Sequence, residues 1–360
     1  MTTEPTPGTP YESILEPEVP DLASPTHASA DATSDEFVQM LKETADKLVR
    51  DGATRGDVKL LATALRELRY CFKVFNEYRG RRKVTIFGSA RTKPDHPAYQ
   101  AAVEFGKRMS DIGWMVLTGA ASGIMEAGHV GAGRDNSFGL NILLPFEQGA
   151  NSIIHGDPKL MNMRYFFTRK LMFIKESDAV VLFPGGFGTH DEAFESLTLI
   201  QTGKSHIFPL VLVDEPGGTY WKRWQAFIKE DLLDRGYISK QDMALYRVTD
   251  SIEEAVHEVR DFYRVYHSMR YVRGELVLRL QHRLSDATMS YICEHFADIV
   301  TGGTFEQTDM LPQEANEAAH AHLPRLKFRF DRMNQGRLRQ LIDCVNREGW
   351  LCNFLAGNPS

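Results

Sequence analysis

The sequence predicts an α/β protein: a doubly wound, Rossmann-like parallel sheet, preceded by helices and followed by a small α+β unit. Three observations predict it. Five short apolar runs between residues 83 and 214 alternate with amphipathic helical stretches, as in a parallel sheet covered on both faces. Glycine-rich turns follow three of those runs at their carboxyl ends, where open α/β sheets bind ligands. From about residue 268 the pattern becomes strand, helix, strand, strand, helix, which suits an antiparallel sheet.

Taken in order, residues 1–33 are rich in Pro, Thr, Ser, Ala and acidic residues. They hold too little apolar surface to offset the entropy of ordering and are expected to be disordered. A helical segment is expected over 34–80. Ser34 can cap the helix "SDEFVQMLKETADKLVRDG", in which Phe37, Leu41, Ala45 and Leu48 recur at helical spacing and which Gly52 stops. A second helix, "DVKLLATALRELRYCFKVFNEYRG", ends at Gly80 and has a broad apolar face.

The Rossmann-like domain is expected over 81–267. Its strands are "KVTIFGSA", "WMVLTG", "SFGLNILLP", "DAVVLFPGG" and "FPLVLVD". Its helices are "YQAAVEFGKRMSDIG", the stretch opening at "GIMEA", "YFFTRKLMFIKES", "HDEAFESLTLIQTG" and the one around "WKRWQAFIKEDLLDRG". The C-terminal unit, 268–360, comprises "GELVLRLQ", the helix "SDATMSYICEHFADIV", "GTFEQTD", the alternating strand "PRLKFRFDR" and the helix "GRLRQLIDCVNREG". "QEANEAAHAH" is expected as a loop or short helix, and no internal repeat is found.

Composition narrows the function. Of 360 residues, 42% are hydrophobic and 25% charged, enough for a real core in one large or several modest domains. A net charge of −6 offers no global attraction to nucleic acid or an anionic membrane. The basic cluster "RGRRK" at 79–83 reads as a solvated helix end. No apolar stretch is long enough to span a bilayer, and the N-terminus lacks the pattern of a signal peptide. Cys71, Cys293, Cys344 and Cys352 form neither a zinc nor a disulfide pattern. A cytoplasmic location is therefore expected, with no metal, no membrane and no nucleic-acid partner.

Three turns converge in such a fold: "GSAR" from Gly88 and Ser89, "TGAASGIMEA" holding Gly119 and Gly123, and "PGGFGT" holding Gly185, Gly186, Gly188 and Thr189. Glycines let backbone N–H groups approach an anion, and the following helix N-terminus adds its dipole. One such turn is no more than a tight connection; three at one sheet edge point to an anionic ligand. None is a GxGxxG after the first strand or a GxxxxGK[ST] loop. "GHVGAG" at 128–133 reads as helix packing. Asp191 suits a helix start, and Glu192 and Glu195 share one helical face. A carboxylate beside a sugar phosphate makes sense where positive charge develops on the sugar, as in glycoside cleavage.

"PGGFGTHDE" resembles the PGGxGTxxE signature of the LOG family, and "RYFFTRKLMFIKESDAVVLFPGGFGT" resembles the segment before it. The likeness covers about residues 82–255, with "VTIFGSARTKPDHPAY" and "GIMEA" similar to longer bacterial members. It implies hydrolysis of the N-glycosidic bond of a nucleoside 5′-monophosphate, AMP or a relative such as a cytokinin ribotide, giving free base and ribose 5-phosphate without a cofactor. By position it implies Arg169 and Glu192 as the catalytic pair, with Gly185, Gly186, Gly188 and Thr189 on the phosphate. Arg164 and Lys170 are secondary candidates. Glu126 either points into the same cleft or is a solvated helix acid.

The resemblance also implies a homodimer, or a higher homo-oligomer, whose partner chain closes part of the site. Where relatives carry a glycine-rich second turn, this chain reads Gly119-Ala120-Ala121-Ser122-Gly123. The alternative to the enzyme is a nucleotide-binding regulator, which those alanines and the C-terminal unit would suit. A pyridoxal enzyme would need a Schiff-base lysine, and Lys170 is the only lysine in the constellation.

Overall fold

The computed structural model describes residues 33–143, 149–314 and 318–347. Of the tail expected over residues 1–33, residues 1–32 lie outside these, as do part of "QEANEAAHAH", Cys352 and the last residues of the closing helix stretch. The chain divides into two units, residues 1–63 and 64–360. In the first, α1 (Ser34–Arg50) is capped by Thr33, not Ser34, in a reciprocal box with Glu36, and none of its residues is buried. The second helix, α2 (Arg55–Asn76), runs across the division, so that its residues from Ala64 onward belong to the second unit, and it stops short of Gly80.

In the second unit, β1 (Lys83–Phe87), α3 (Pro97–Asp111), β2 (Met115–Thr118), α4 (Ile124–Ala132) and β3 (Ser137–Ile142) follow in turn. Then come β4 (Leu160–Met163), α5 (Phe166–Glu176), β5 (Ala179–Leu182), α6 (Phe187–Gln201), β6 (Leu210–Val213), α7 (Tyr220–Phe227) and β7 (Arg247–Thr249), with α8 (Ile252–Asp261) closing the series. The seven strands form one sheet in the order β4-β3-β2-β1-β5-β6-β7, and every pairing is parallel. This is the expected Rossmann-like α/β fold, wider by β4 and β7. Both additions are short, and their polar members ("LMNM", "RVT") hide the apolar run that marks a buried strand.

Alternation within each strand feeds two cores. Val84, Ile86, Val116, Val181 and Val211 pack with α3, α4 and α8 on one face. Leu117, Leu140, Leu182 and Leu212 pack on the other with Phe75 of α2, Phe173 of α5 and Trp221 of α7. Burial on both faces is why these strands read as unbroken apolar runs. Two glycines of "GHVGAG", Gly128 and Gly131, are packing residues, while Gly133 caps α4: a Cβ on Gly131 would lie 2.0 Å from the Val103 carbonyl oxygen of α3, so α3 and α4 meet backbone to backbone. The "RGRRK" cluster is not a solvated end. Arg82 pairs with Asp178 at 3.0 Å, Lys83 is buried, and Arg81 bonds the Gly113 carbonyl and Asn136.

The C-terminal elements are β8 (Tyr266–Val272), β9 (Glu275–Leu280), α9 (Asp286–His295), β10 (Glu306–Thr308), β11 (Arg325–Phe328) and α10 (Gln335–Asn346). Their four strands pair antiparallel in the order β10-β11-β9-β8. β8 adds a strand that the polar stretch "HSMR" conceals in the sequence. Leu276, Leu278, Phe328 and Leu341 join the same continuous core as Leu117 and Leu182.

Candidate functional site

The sheet order changes direction between β1 and β5: the chain winds outward from β1 through β2 and β3, then returns to β5 on the other side. That switch point leaves a crevice at the carboxyl ends of the strands, and a cavity of about 800 Å³ lies there. The three glycine-rich turns meet at it. Gly88 and Ser89 come from β1, Gly119 from β2, and Gly185, Gly186, Gly188 and Thr189 from β5 and the start of α6.

Local bonds stitch these turns together. The Ser89 N–H donates to the Pro184 carbonyl at 3.1 Å, and the Ile124 N–H donates to the Ser89 carbonyl at 3.1 Å. Ser89 thus joins all three turns through its backbone, while its hydroxyl oxygen accepts from the Arg91 N–H. The glycines differ in kind. A Cβ on Gly185 would lie 2.0 Å from Thr189 Oγ1, so that position is closed by packing. A Cβ on Gly186 or Gly188 would meet no protein atom within 4 Å. Nothing in the chain requires glycine there, and the open space belongs to the cavity. The first N–H groups of α6 have no intrahelical acceptor and point out of its N-terminus.

The second turn places an alanine in the left-handed region. Ala120 adopts φ 62, a left-handed conformation unfavourable to any residue with a Cβ. Asn151 holds it there, its side-chain amide donating to the Ala120 and Ala121 carbonyls at 3.0 and 3.1 Å. The Ala120 N–H donates to Thr118 Oγ1. Behind Asn151 sits the fully buried His129, whose pKa burial lowers to about 4. Ala121 lines the cavity, so one of the two alanines adds a methyl group facing the ligand space.

The charged groups are arranged on α5 and α6. Glu192 lines the cavity but is only 5% exposed, and burial pushes its pKa up to about 7 against the opposing pull of Lys170 and Arg169. Arg169 also lines the cavity, its guanidinium between the rings of Phe166 and Phe173 at 5.0 and 5.8 Å. A Cβ on Gly119 would stand 2.9 Å from Met125 Sδ and in ordinary contact, 3.7 Å, with Arg169 Nη1. Lys170 points elsewhere, to Asp191 at 2.9 Å and Glu195 at 2.7 Å. Burial opposes its charge, but those two carboxylates outweigh it and raise its pKa. An ammonium so held is the wrong state for a Schiff-base nucleophile, so this residue does not fit a pyridoxal group.

Four other candidates do not line the cavity: Gly123, Glu126, Arg164 and Lys170. Gly123 (φ 68) caps α4, where a Cβ would strike the Ser89 carbonyl at 2.3 Å. Arg164 is exposed, and its backbone N–H donates to Glu67 Oε1 at 2.8 Å. Glu67 also accepts from the Thr168 hydroxyl at 2.7 Å. It therefore anchors the start of α5, a role with no sequence signal because the partners stand 97 and 101 residues away. Reading the sequence also missed the apolar wall of Phe87, Met125, Ile142, Phe166 and Phe173, and the inward side of His190. Among the described residues, no group of three or more His, Cys, Asp or Glu could hold a metal ion, and no helix is long and apolar enough to cross a membrane.

Residues 118–259 match the model of the family described as "Possible lysine decarboxylase". Over 162 residues the chain is 28% identical to the cytokinin riboside 5′-monophosphate phosphoribohydrolase of Mycobacterium tuberculosis, covering 44% of this chain and 82% of that one. Over 188 residues it is 27% identical to a protein of the same description from Arabidopsis thaliana, covering 50% and 82%. Among solved structures, the molybdenum cofactor binding protein of Rippkaea orientalis aligns with 50% of this chain and 96% of its own, at 17% identity and a TM-score of 0.36.

Proposed function

The chain belongs to the LOG family, and from that premise we propose that it hydrolyses the N-glycosidic bond of a nucleoside 5′-monophosphate, releasing free base and ribose 5-phosphate. One observation carries the reading: a buried carboxyl, Glu192, stands against the same cavity as two glycines that nothing in the chain requires. A site that only bound phosphate would have no use for a carboxylate so close to it.

In this reading the 5′-phosphate lies on the Gly186–Gly188 backbone at the N-terminus of α6, where free N–H groups and the helix dipole favour an anion. The ribose is then directed toward Glu192. As the bond from C1′ to the base nitrogen breaks, positive charge develops on the sugar ring. The Glu192 carboxylate stabilises that charge and accepts a proton from the water that attacks C1′. The departing nitrogen takes its proton from solvent. Arg169 is always protonated and cannot serve as an acid. It holds the substrate and draws the Glu192 carboxyl toward its ionised form against the push of burial. The base lies against the apolar wall of Phe87, Met125 and Phe166, which suits stacking of a planar ring. A modified adenine such as a cytokinin ribotide is one such substrate.

The proposed enzyme acts as a homodimer through α5, whose Phe167 and Leu171 are half exposed beside the cavity. The experiment is chromatography of products after incubation with AMP, GMP, CMP, UMP and an isopentenyl-adenine ribotide, with Glu192→Ala in parallel. Base and ribose 5-phosphate from the wild type alone are expected. No base from any nucleotide, with one of them raising the melting temperature, would transfer the site to a nucleotide sensor.

A further inference from the structure

We propose that Tyr220 and His190 are positioning residues of the glycine turn, orienting one of its peptides so that an N–H faces the ligand phosphate. The inference rests on the reading that the cavity takes a 5′-phosphate. Carbonyl oxygens are the hazard in any backbone anion site, because each peptide offers the anion an attractive N–H at one end and a repulsive oxygen at the other. In this turn both leading carbonyls are tied down. The Pro184 oxygen accepts from the Ser89 N–H at 3.1 Å. The Gly185 oxygen accepts from the Tyr220 hydroxyl at 2.6 Å.

The second bond sets the orientation. Tyr220 does not line the site cavity; it lines a neighbouring one of about 590 Å³, and His190 lines both. A trans peptide holds its C=O and N–H antiparallel, and none of the described peptides is cis. With the Gly185 carbonyl drawn toward Tyr220, the Gly186 N–H faces away from Tyr220 and into the cavity that Gly186 lines.

The proton count fixes the direction of the relay. A tyrosine hydroxyl has one proton, and Tyr220 gives it to Gly185. The 2.6 Å contact between Tyr220 Oη and His190 Nε2 therefore needs its proton from the imidazole. Burial lowers the His190 pKa and favours the neutral ring, in which this contact puts the proton on Nε2 and the lone pair on Nδ1. Contacts with the Tyr220 and Trp221 rings, 5.8 and 5.6 Å between centroids, hold the imidazole in that pose. Neutral His190 thus has no second proton to give a leaving group, and its role is to keep the Tyr220 hydroxyl aimed at Gly185.

The test uses the full chain and three probes: AMP, ribose 5-phosphate and phosphate-free adenosine. Tyr220→Phe removes the hydroxyl and keeps the ring. Calorimetry should show about tenfold weaker binding of AMP and ribose 5-phosphate, from the loss of one anchoring hydrogen bond, with adenosine unchanged. In turnover, KM for AMP should rise while kcat holds. His190→Phe should behave alike, and His190→Gln, which restores a donor, should return near to wild type. A Tyr220→Phe protein that binds both phosphate ligands as the wild type does, or loses adenosine equally, overturns the relay. Should Tyr220→Phe not fold, the His190→Phe and His190→Gln pair decides the same question. If the wild type binds AMP but releases no base, the proposed activity falls while the binding comparison still judges the relay. If the wild type binds neither phosphate ligand, both readings fall.

Discussion

Replacing Glu192 by glutamine should stabilise this protein at pH 8 while removing its proposed activity. A carboxyl in water titrates near 4.5, and in the folded chain burial moves Glu192 to about 7. Between those values the unfolded chain has lost the proton and the folded chain keeps it, so folding takes up a proton and stability falls as pH rises. The penalty is absent below pH 4.5, grows through the interval and is complete above about pH 7. The displacement from 4.5 to about 7, at about 1.4 kcal/mol per pH unit, amounts to about 3 kcal/mol. Being only 5% exposed, the group has little solvent screening to reduce that figure.

Glutamine keeps the shape and removes the charge. The variant and wild type should therefore unfold alike at pH 4.5 and diverge by up to about 3 kcal/mol by pH 8, a gain of about 5 °C in melting temperature. Turnover of the nucleotide should fall by about 10²–10⁴-fold, the usual worth of a general base. The assay is thermal or urea unfolding of both proteins across pH 4.5–8, beside base release at pH 8. A glutamine variant less stable than the wild type at pH 8 would refute the reasoning. It would mean that Arg169 and Lys170 hold Glu192 as a net stabilising ion pair and that the carboxyl is structural.

Other outcomes follow from the same geometry. Base release should rise with pH and level off above about 7, because the proposed role of Glu192 needs its carboxylate form; a profile flat from pH 5 to 8 would disconnect it from the rate-limiting step. Gly186→Ala and Gly188→Ala should leave the unfolding midpoint unchanged and weaken nucleotide binding, since the added methyl meets only cavity. Gly185→Ala should lower both, because its Cβ collides with Thr189; equal midpoints for all three variants would contradict the packing. His129, held neutral by burial with a pKa of about 4 against its ordinary 6.5, has the opposite sign to Glu192. Its contribution is complete above pH 6.5 and is lost as pH falls toward 4, by about 3 kcal/mol, so replacing it with a neutral isostere should flatten the acid limb of the wild-type stability curve.

What the sequence discloses here depends on whether a residue's role is local. The five principal strands are legible because double-sided burial makes them continuous apolar runs, and the turns are legible because glycine at a strand end has few other uses. β4 and β7 are not, since a four-residue "LMNM" and a three-residue "RVT" carry no period. The site divides in the same way. Gly185, Gly186, Gly188, Thr189 and Glu192 lie in the connection from β5 and the first turns of α6, and their spacing alone places them together. Lys170 adjoins Arg169 on α5 and Arg164 lies just ahead of that helix, yet of the three only Arg169 lines the cavity. Proximity along a helix misleads, because neighbours on it point to different sides.

Glu67 and Tyr220 show the complementary failure. Each acts on a backbone or hydroxyl group supplied from another part of the chain, Glu67 on Arg164 and Thr168, and Tyr220 on Gly185, and neither belongs to a motif. The second turn shows a left-handed residue that is not glycine. Ala120 occupies the left-handed region that glycine would take freely, because Asn151, Thr118 and the buried His129 hold it there. The shape of the cavity thus depends on a buried polar network behind the turn as much as on the glycines in front of it. Loosening that network by Asn151→Ala should distort the second turn and weaken nucleotide binding, although Asn151 itself does not line the cavity.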